Sequence, residues 1–187
     1  MKRTSYGFTI VELLIVIVVI GILAAISIVA YKGVSQKANN AAIIDAAGKA
    51  QRLMQAYVAT EGKYPLPGPA TMFACVTTET GCRSSTEDFL ANATFDANMA
   101  STGQLPRSIP SVGDDRYGIY LTYWSGATEG PLYMRYYLQG VNQQCGLSGV
   151  LNDSLNGYVT KGYTIGNQGG SGKTECVIKV PGPPHAG

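Results

Sequence analysis

GFTIVELLIVIVVIGILAAI, residues 7–26, decides how this chain is organised. From Leu13 to Ala30 there is no charged residue, and Ser27 is the only polar side chain. At about 1.5 Å per helical residue, these 18 residues reach roughly the thickness of a bilayer's hydrocarbon core. Lys2 and Arg3 precede the run and favour a cytoplasmic N-terminus. Glu12 is the anomaly. A carboxylate inside an apolar spanning segment costs roughly 2.5–3.5 kcal/mol at mid-membrane and less near the interface, so it calls for a partner.

Three readings compete for residues 1–30. A secretory signal peptide has a shorter apolar stretch followed by a small-residue cleavage site, and no convincing A-x-A follows this one. A simple membrane anchor accounts for length and charge but leaves Glu12 unexplained. The third reading is a resemblance. G-F-T-x-x-E followed at once by an uncharged spanning run is similar to the leader junction of type IV pilins and pseudopilins, with Gly21 matching as well.

That resemblance implies a set of expectations. A membrane aspartyl peptidase, the prepilin peptidase, cuts between Gly7 and Phe8, and the same enzyme methylates the new amine of Phe8. Glu12 pairs with that amine on a neighbouring subunit during assembly. The fold class implied is α+β: a long N-terminal helix, membrane-spanning in its first half, packed on a C-terminal antiparallel sheet. The function implied is a structural subunit of a type IV pilus serving adhesion, motility or DNA uptake, with a pseudopilin of a type II secretion system as the alternative. Partners implied are further copies of the chain, the peptidase, an assembly machinery with a cytoplasmic ATPase, and the membrane before assembly. The location implied is the inner membrane for the precursor and the cell surface for the filament. Many pilins carry proline where this chain has Val29, so any softness of the helix falls to Gly21 and Gly33.

The rest of the 187 residues is polar and unexceptional, and the mean hydropathy of +0.06 owes its sign to the apolar run. The formal charge is +2 with Lys2 and Arg3 counted; without them twelve basic side chains face twelve acidic ones. No dense basic run occurs, so nucleic-acid binding is not indicated. Cys75, Cys82, Cys145 and Cys176 all follow the apolar run, on the side that would be exported, and allow three disulfide pairings. The sequential pairing closes loops worth on the order of 2.5 and 3.5–4 kcal/mol on the chain-entropy model. If that second bridge forms, it ties Cys145 to Cys176 and pins the C-terminal segment, as is common in pilins, which the chain resembles. A zinc site is disfavoured, because there is no C-x-x-C pair and the one histidine is His185.

The resemblance implies a leader over residues 1–7 and a membrane and filament-core half of the helix over 8–33, and the residue pattern carries an amphipathic half over 34–62. A connector follows over 63–112, then the disulfide-bonded sheet over 113–187. Ile43, Ala47, Ala50, Met54 and Tyr57 recur at three and four residues and form one apolar stripe, with Lys37, Asp45, Lys49 and Arg52 off it. Gly62 and Pro65 mark the helix stop, within a GKYP sequence also common in pilins. The connector reads as irregular apart from a short helix over Thr86–Asn98. Strands are expected at Tyr117–Trp124, Leu132–Leu138, Tyr158–Ile165 and Cys176–Val180. In Leu132–Leu138 the tyrosine/arginine face, Tyr133, Arg135 and Tyr137, is the candidate contact for a subunit or ligand; the plainer alternative is a solvated sheet face.

No catalytic constellation is present: there is no P-loop, no G-x-S-x-G, and no cofactor-binding motif. Neither a metal nor a cofactor is expected, and the chain is expected not to be an enzyme. Asp114–Asp115 reads as a solvated acidic turn, and Asn152, Asp153 and Asn156 do not match a calcium loop. Asn92-Ala-Thr94 and Asn152-Asp-Ser154 are formal glycosylation sequons of a kind that arises by chance.

Overall fold

The computed structural model describes residues 7, 9–66, 73–84, 87–113, 115–123, 131–151, 163–165 and 172–182. Phe8, Asp114, Asn152, Asp153, Asn156, His185, most of Tyr158–Ile165 and the end of the Tyr117–Trp124 strand lie outside them. The chain divides into two compact units, residues 1–38 and 39–187.

Helix α1 spans Ile10–Glu61 and belongs to both units. In the first unit every large apolar side chain from Ile10 to Val34 is between 48% and 84% exposed. Among the described residues nothing covers these side chains. The helix holds because its backbone bonds are satisfied internally, the condition for any segment that crosses lipid. Ser27 returns its hydroxyl to the Leu23 carbonyl at 2.8 Å, so the single polar group in the run is satisfied too.

In the second unit the expected stripe is buried: Ile43, Ala47, Ala50 and Met54 are fully covered and Tyr57 nearly so. Lys49, Asp45 and Arg52 are exposed. Two polar side chains share the buried face. Asn40 accepts from the Gln139 N–H at 2.8 Å and donates to the Gln139 carbonyl at 3.0 Å. Gln51 donates to the Ser148 carbonyl at 3.2 Å. Each clips the helix to backbone about a hundred residues away. Gly62, at φ 66°, ends the helix with its N–H on the Val58 carbonyl at 2.9 Å.

The sheet on which this face packs has five antiparallel strands: β1 (Phe73–Cys75), β5 (Ile119–Tyr123), β6 (Leu132–Gln139), β8 (Lys173–Lys179) and β7 (Tyr163–Ile165), in that order. Register aligns Ala74, Leu121, Met134 and Ile178 across the sheet. These join Ile119, Tyr136, Cys176 and the helix stripe in one core. A smaller sheet, β3-β2-β4, is built from Glu87–Phe89, Cys82–Ser84 and Arg116–Tyr117.

The connector is thus more ordered than its composition suggests. Residues 87–89, expected to be helical, pair with β2 instead. The helix there, α2, starts later and spans Ala93–Met99. Asn92 supplies its N-cap by accepting the Phe95 N–H at 3.0 Å. The Tyr117–Trp124 strand is broken at Gly118, whose φ is 88°. A Cβ there would stand 2.4 Å from the Gly81 carbonyl and 2.8 Å from Cys82 Sγ. Only glycine lets β5 pass this close to the Cys75–Cys82 bridge. Gly118→Ala is expected to cost roughly 3 kcal/mol, combining positive-φ strain with overpacking against backbone, read as a lower thermal midpoint of the full-length protein in detergent. A midpoint unchanged from the parent would contradict the close approach.

Candidate assembly site at the start of the long helix

Thr9 and Glu12 close the N-terminus of α1 as a reciprocal pair. Glu12 Oε2 accepts from both the Thr9 N–H and the Thr9 hydroxyl at 2.8 Å, and Thr9 Oγ1 accepts from the Glu12 N–H at 3.3 Å. This is a capping box, which satisfies donors that a helix start otherwise leaves open. It also places a negative charge at the positive end of the helix dipole. T-x-x-E was legible in the sequence as a cap, but Glu12 stood out as a charge in lipid and as part of the G-F-T-x-x-E motif. Gly7 is exposed; Phe8 lies outside the described residues. Thr9→Val keeps the shape and removes the hydroxyl. It should cost about 1 kcal/mol at the helix start, seen as faster amide exchange over residues 10–13 in micelles, whereas unchanged exchange would mean that the box contributes nothing.

The four cysteines form Cys75–Cys82 and Cys145–Cys176. The first ties β1 to β2, joining the two sheets. The second anchors β8, and with it the C-terminal segment, to the loop after β6. That loop is held again by the Tyr136 hydroxyl, which donates to the Cys145 carbonyl at 2.6 Å.

The tyrosine/arginine face of β6 is not exposed, so neither the contact surface nor the solvated face expected from the sequence exists there. Tyr133 is 7% and Tyr137 1% exposed. The smaller sheet covers part of this face through Phe89, whose ring stacks on Phe73 and lies tilted against Tyr120, both with centroids 4.5 Å apart. Leu151 and Val177 pack with Tyr133. Beneath this cover, Arg135 pairs with Glu175 at 2.9 Å, the Tyr137 hydroxyl donates to Glu175 at 3.4 Å, and the Tyr120 and Tyr137 hydroxyls meet at 2.8 Å. Lys173, also buried, pairs with Asp115 and donates to the Arg116 carbonyl at 3.0 Å. These charges are internal struts. Each retains a partner because an unpaired buried charge is far costlier than a paired one. LYMRYYL reads as nearly unbroken apolar and aromatic sequence, and that lack of alternation was the available sign of a strand covered on both faces.

Burial raises the pKa of Tyr136, and burial followed by the Glu175 charge raises that of Tyr137. Tyr123, donating to the Leu66 carbonyl at 2.5 Å, is pushed up to about 12 by burial and by Tyr64. A folded pKa above the unfolded value of about 10 stabilises fully below pH 10. That stability is lost as pH rises from about 10 through each folded value. The melting temperature is therefore expected to hold to about pH 9 and fall above 10, with these tyrosinates forming only on unfolding. All twelve tyrosines ionising near pH 10 in a still-folded protein would contradict it.

Comparison with known proteins bears on what the helix start does. A family model for the prokaryotic N-terminal methylation motif matches residues 2–28. The chain is 31% identical over 104 residues to the fimbrial protein EcpC of Eikenella corrodens, covering 55% of this chain and 68% of that one. It is 28% identical over 131 residues to the type IV major pilin protein PilE1 of Neisseria gonorrhoeae, covering 70% of this chain and 74% of that one. No solved structure matches it. With the methylation motif on the capped helix start and similarity running well into the disulfide-bonded unit, the chain belongs to the type IV pilin family.

Proposed function

We propose that this protein is made as a precursor with a leader of residues 1–7, and that its mature form polymerises through α1 into a pilus on the cell surface. The observation that carries this is the uncovered apolar segment of α1. Seventeen large apolar side chains from Ile10 to Val34 stand exposed, each worth roughly 1.5–3 kcal/mol on full burial. Lipid covers them in the precursor. Neighbouring helices take lipid's place when subunits leave the membrane, and the same burial then keeps the filament from dissolving in water.

Cleavage between Gly7 and Phe8 creates an α-amine that the precursor lacks, and methylation leaves it cationic. A carboxylate offers about four lone-pair sites, so Glu12 retains capacity beyond its two bonds from Thr9. The capping box keeps the carboxylate satisfied in the membrane, and docking adds the neighbour's Phe8 amine. In a low-dielectric helix bundle that attraction is much stronger than in water, so it sets the axial register between staggered helices. The second unit, closed by two disulfides, forms the outer layer. Work for extracting subunits comes from a cytoplasmic ATPase, and prepilin peptidase does the processing. Both relatives named above are fimbrial or pilin proteins, which favours this reading over a type II secretion pseudopilin.

Glu12→Ala separates processing from assembly. Leader cleavage should persist while the protein in sheared surface filaments drops about tenfold or more, measured by immunoblot of sheared and cell fractions. Filaments at the parental level in this variant would refute the pairing.

A further inference from the structure

Charges along α1 are few and unevenly spaced: seven charged side chains fall within Ile10–Glu61. Asp45, Lys49 and Arg52 share one face, through the spacing of three and four residues that stacks side chains along a helix. That face lies opposite the buried stripe of Ile43, Ala47, Ala50 and Met54, and all three charges are exposed. Among the described residues none of the three enters an ion pair. Ala41, Ala42 and Ala56 on the same face are exposed and small, so a second helix can come within reach of the charges.

In the polymer proposed above, copies of α1 run parallel, each displaced along the axis from the next. A displacement of n residues sets residue i of one helix level with residue i+n of its neighbour. Pairing of Glu12 with a neighbour's Phe8 amine fixes n at four, about 6 Å at 1.5 Å per residue. The same four residues separate Asp45 from Lys49. That displacement therefore sets opposite charges level a second time, now in the second unit, and it sets no like charges level anywhere along α1. A slip of one residue either way does. At three residues Arg52 stands beside Lys49, and at five Lys37 stands beside Lys32. Like charges brought together at an interface are heavily penalised, so the pattern favours four and disfavours its nearest alternatives.

We propose that Asp45 and Lys49 form a contact between subunits, the carboxylate of one copy on the ammonium of the next, which locks the four-residue stagger. The inference rests on the polymer reading, and its test separates the two. Filaments sheared from cells are treated with a carbodiimide, which joins a carboxylate to an amine without a spacer. A covalent dimer is expected whose linked peptides carry Asp45 of one copy and Lys49 of another. Asp45→Lys and Lys49→Asp each set like charges level. Each should lower sheared filaments about fivefold or more, with leader cleavage unchanged. The double exchange, Asp45→Lys with Lys49→Asp, should restore filaments to within about twofold of the parent. Parental filaments in which Lys49 is joined only within its own chain, or not to Asp45 at all, overturn the contact and leave polymerisation standing. So do parental filament levels in both single variants, or a double variant no better than the singles. No filaments from the parent overturns polymerisation and the contact together.

Discussion

An apolar helix surface without a partner is the constraint on which the rest depends. Among the described residues, the first unit of this protein buries none of its large apolar side chains from Ile10 to Val34, and from Leu13 to Ala30 it has no charge with which to be soluble. Such a segment persists only in lipid or among other such segments. One polymer geometry accepts both surroundings in turn, because lipid tails and neighbouring apolar helices are nearly equivalent to a leucine. What distinguishes them is polar: among the described residues Glu12 bonds to its own helix cap, whereas the neighbour's amine of the proposed assembly is a true counter-charge. On the proposed assembly, the carboxylate that is a liability in a lone spanning helix becomes the feature that gives a stack of them a register.

The second unit answers a different demand. A subunit passing from membrane to open solvent needs a domain that holds its form without help, and here the central sheet is covered on both faces. The helix stripe, pinned by Asn40 and Gln51, takes one face. The other closes over Arg135, Glu175 and the tyrosine hydroxyls, with Phe89 above and the Cys75–Cys82 bridge joining the layers. Buried ion pairs contribute little net stability, yet they penalise any alternative packing that would separate them. Strand β8 is fixed twice, by the strands on either side of it and by its bond to Cys145.

How much of this was legible follows from what each signal encodes. The apolar run, the stripe at Ile43, Ala47, Ala50, Met54 and Tyr57, and the stop at Gly62 are local and periodic, so α1 emerged nearly to its observed ends. Strand β6 was placed almost to the residue, but its second face was misjudged. Alternating polar and apolar residues tell of one covered face; an arginine among tyrosines was taken for a wet one because its partner, Glu175, is forty residues away. The same distance hid Asn40 and Gln51, whose partners are backbone atoms near β6. The connector failed differently: short strands β1, β2 and β3 are held by pairing and by a disulfide rather than by their own propensities. At the helix start the motif itself was plain, while its role as a cap lay in a spacing that was not weighed.

The most direct measurement is the intact mass of this protein in filaments sheared from cells that make it. A subunit processed and assembled as described has a mass that begins at methylated Phe8 and is lighter by the four hydrogens of two disulfides. A mass that begins at Met1, or no such protein in the sheared fraction, would mean an anchored membrane protein and would contradict assembly through the long helix.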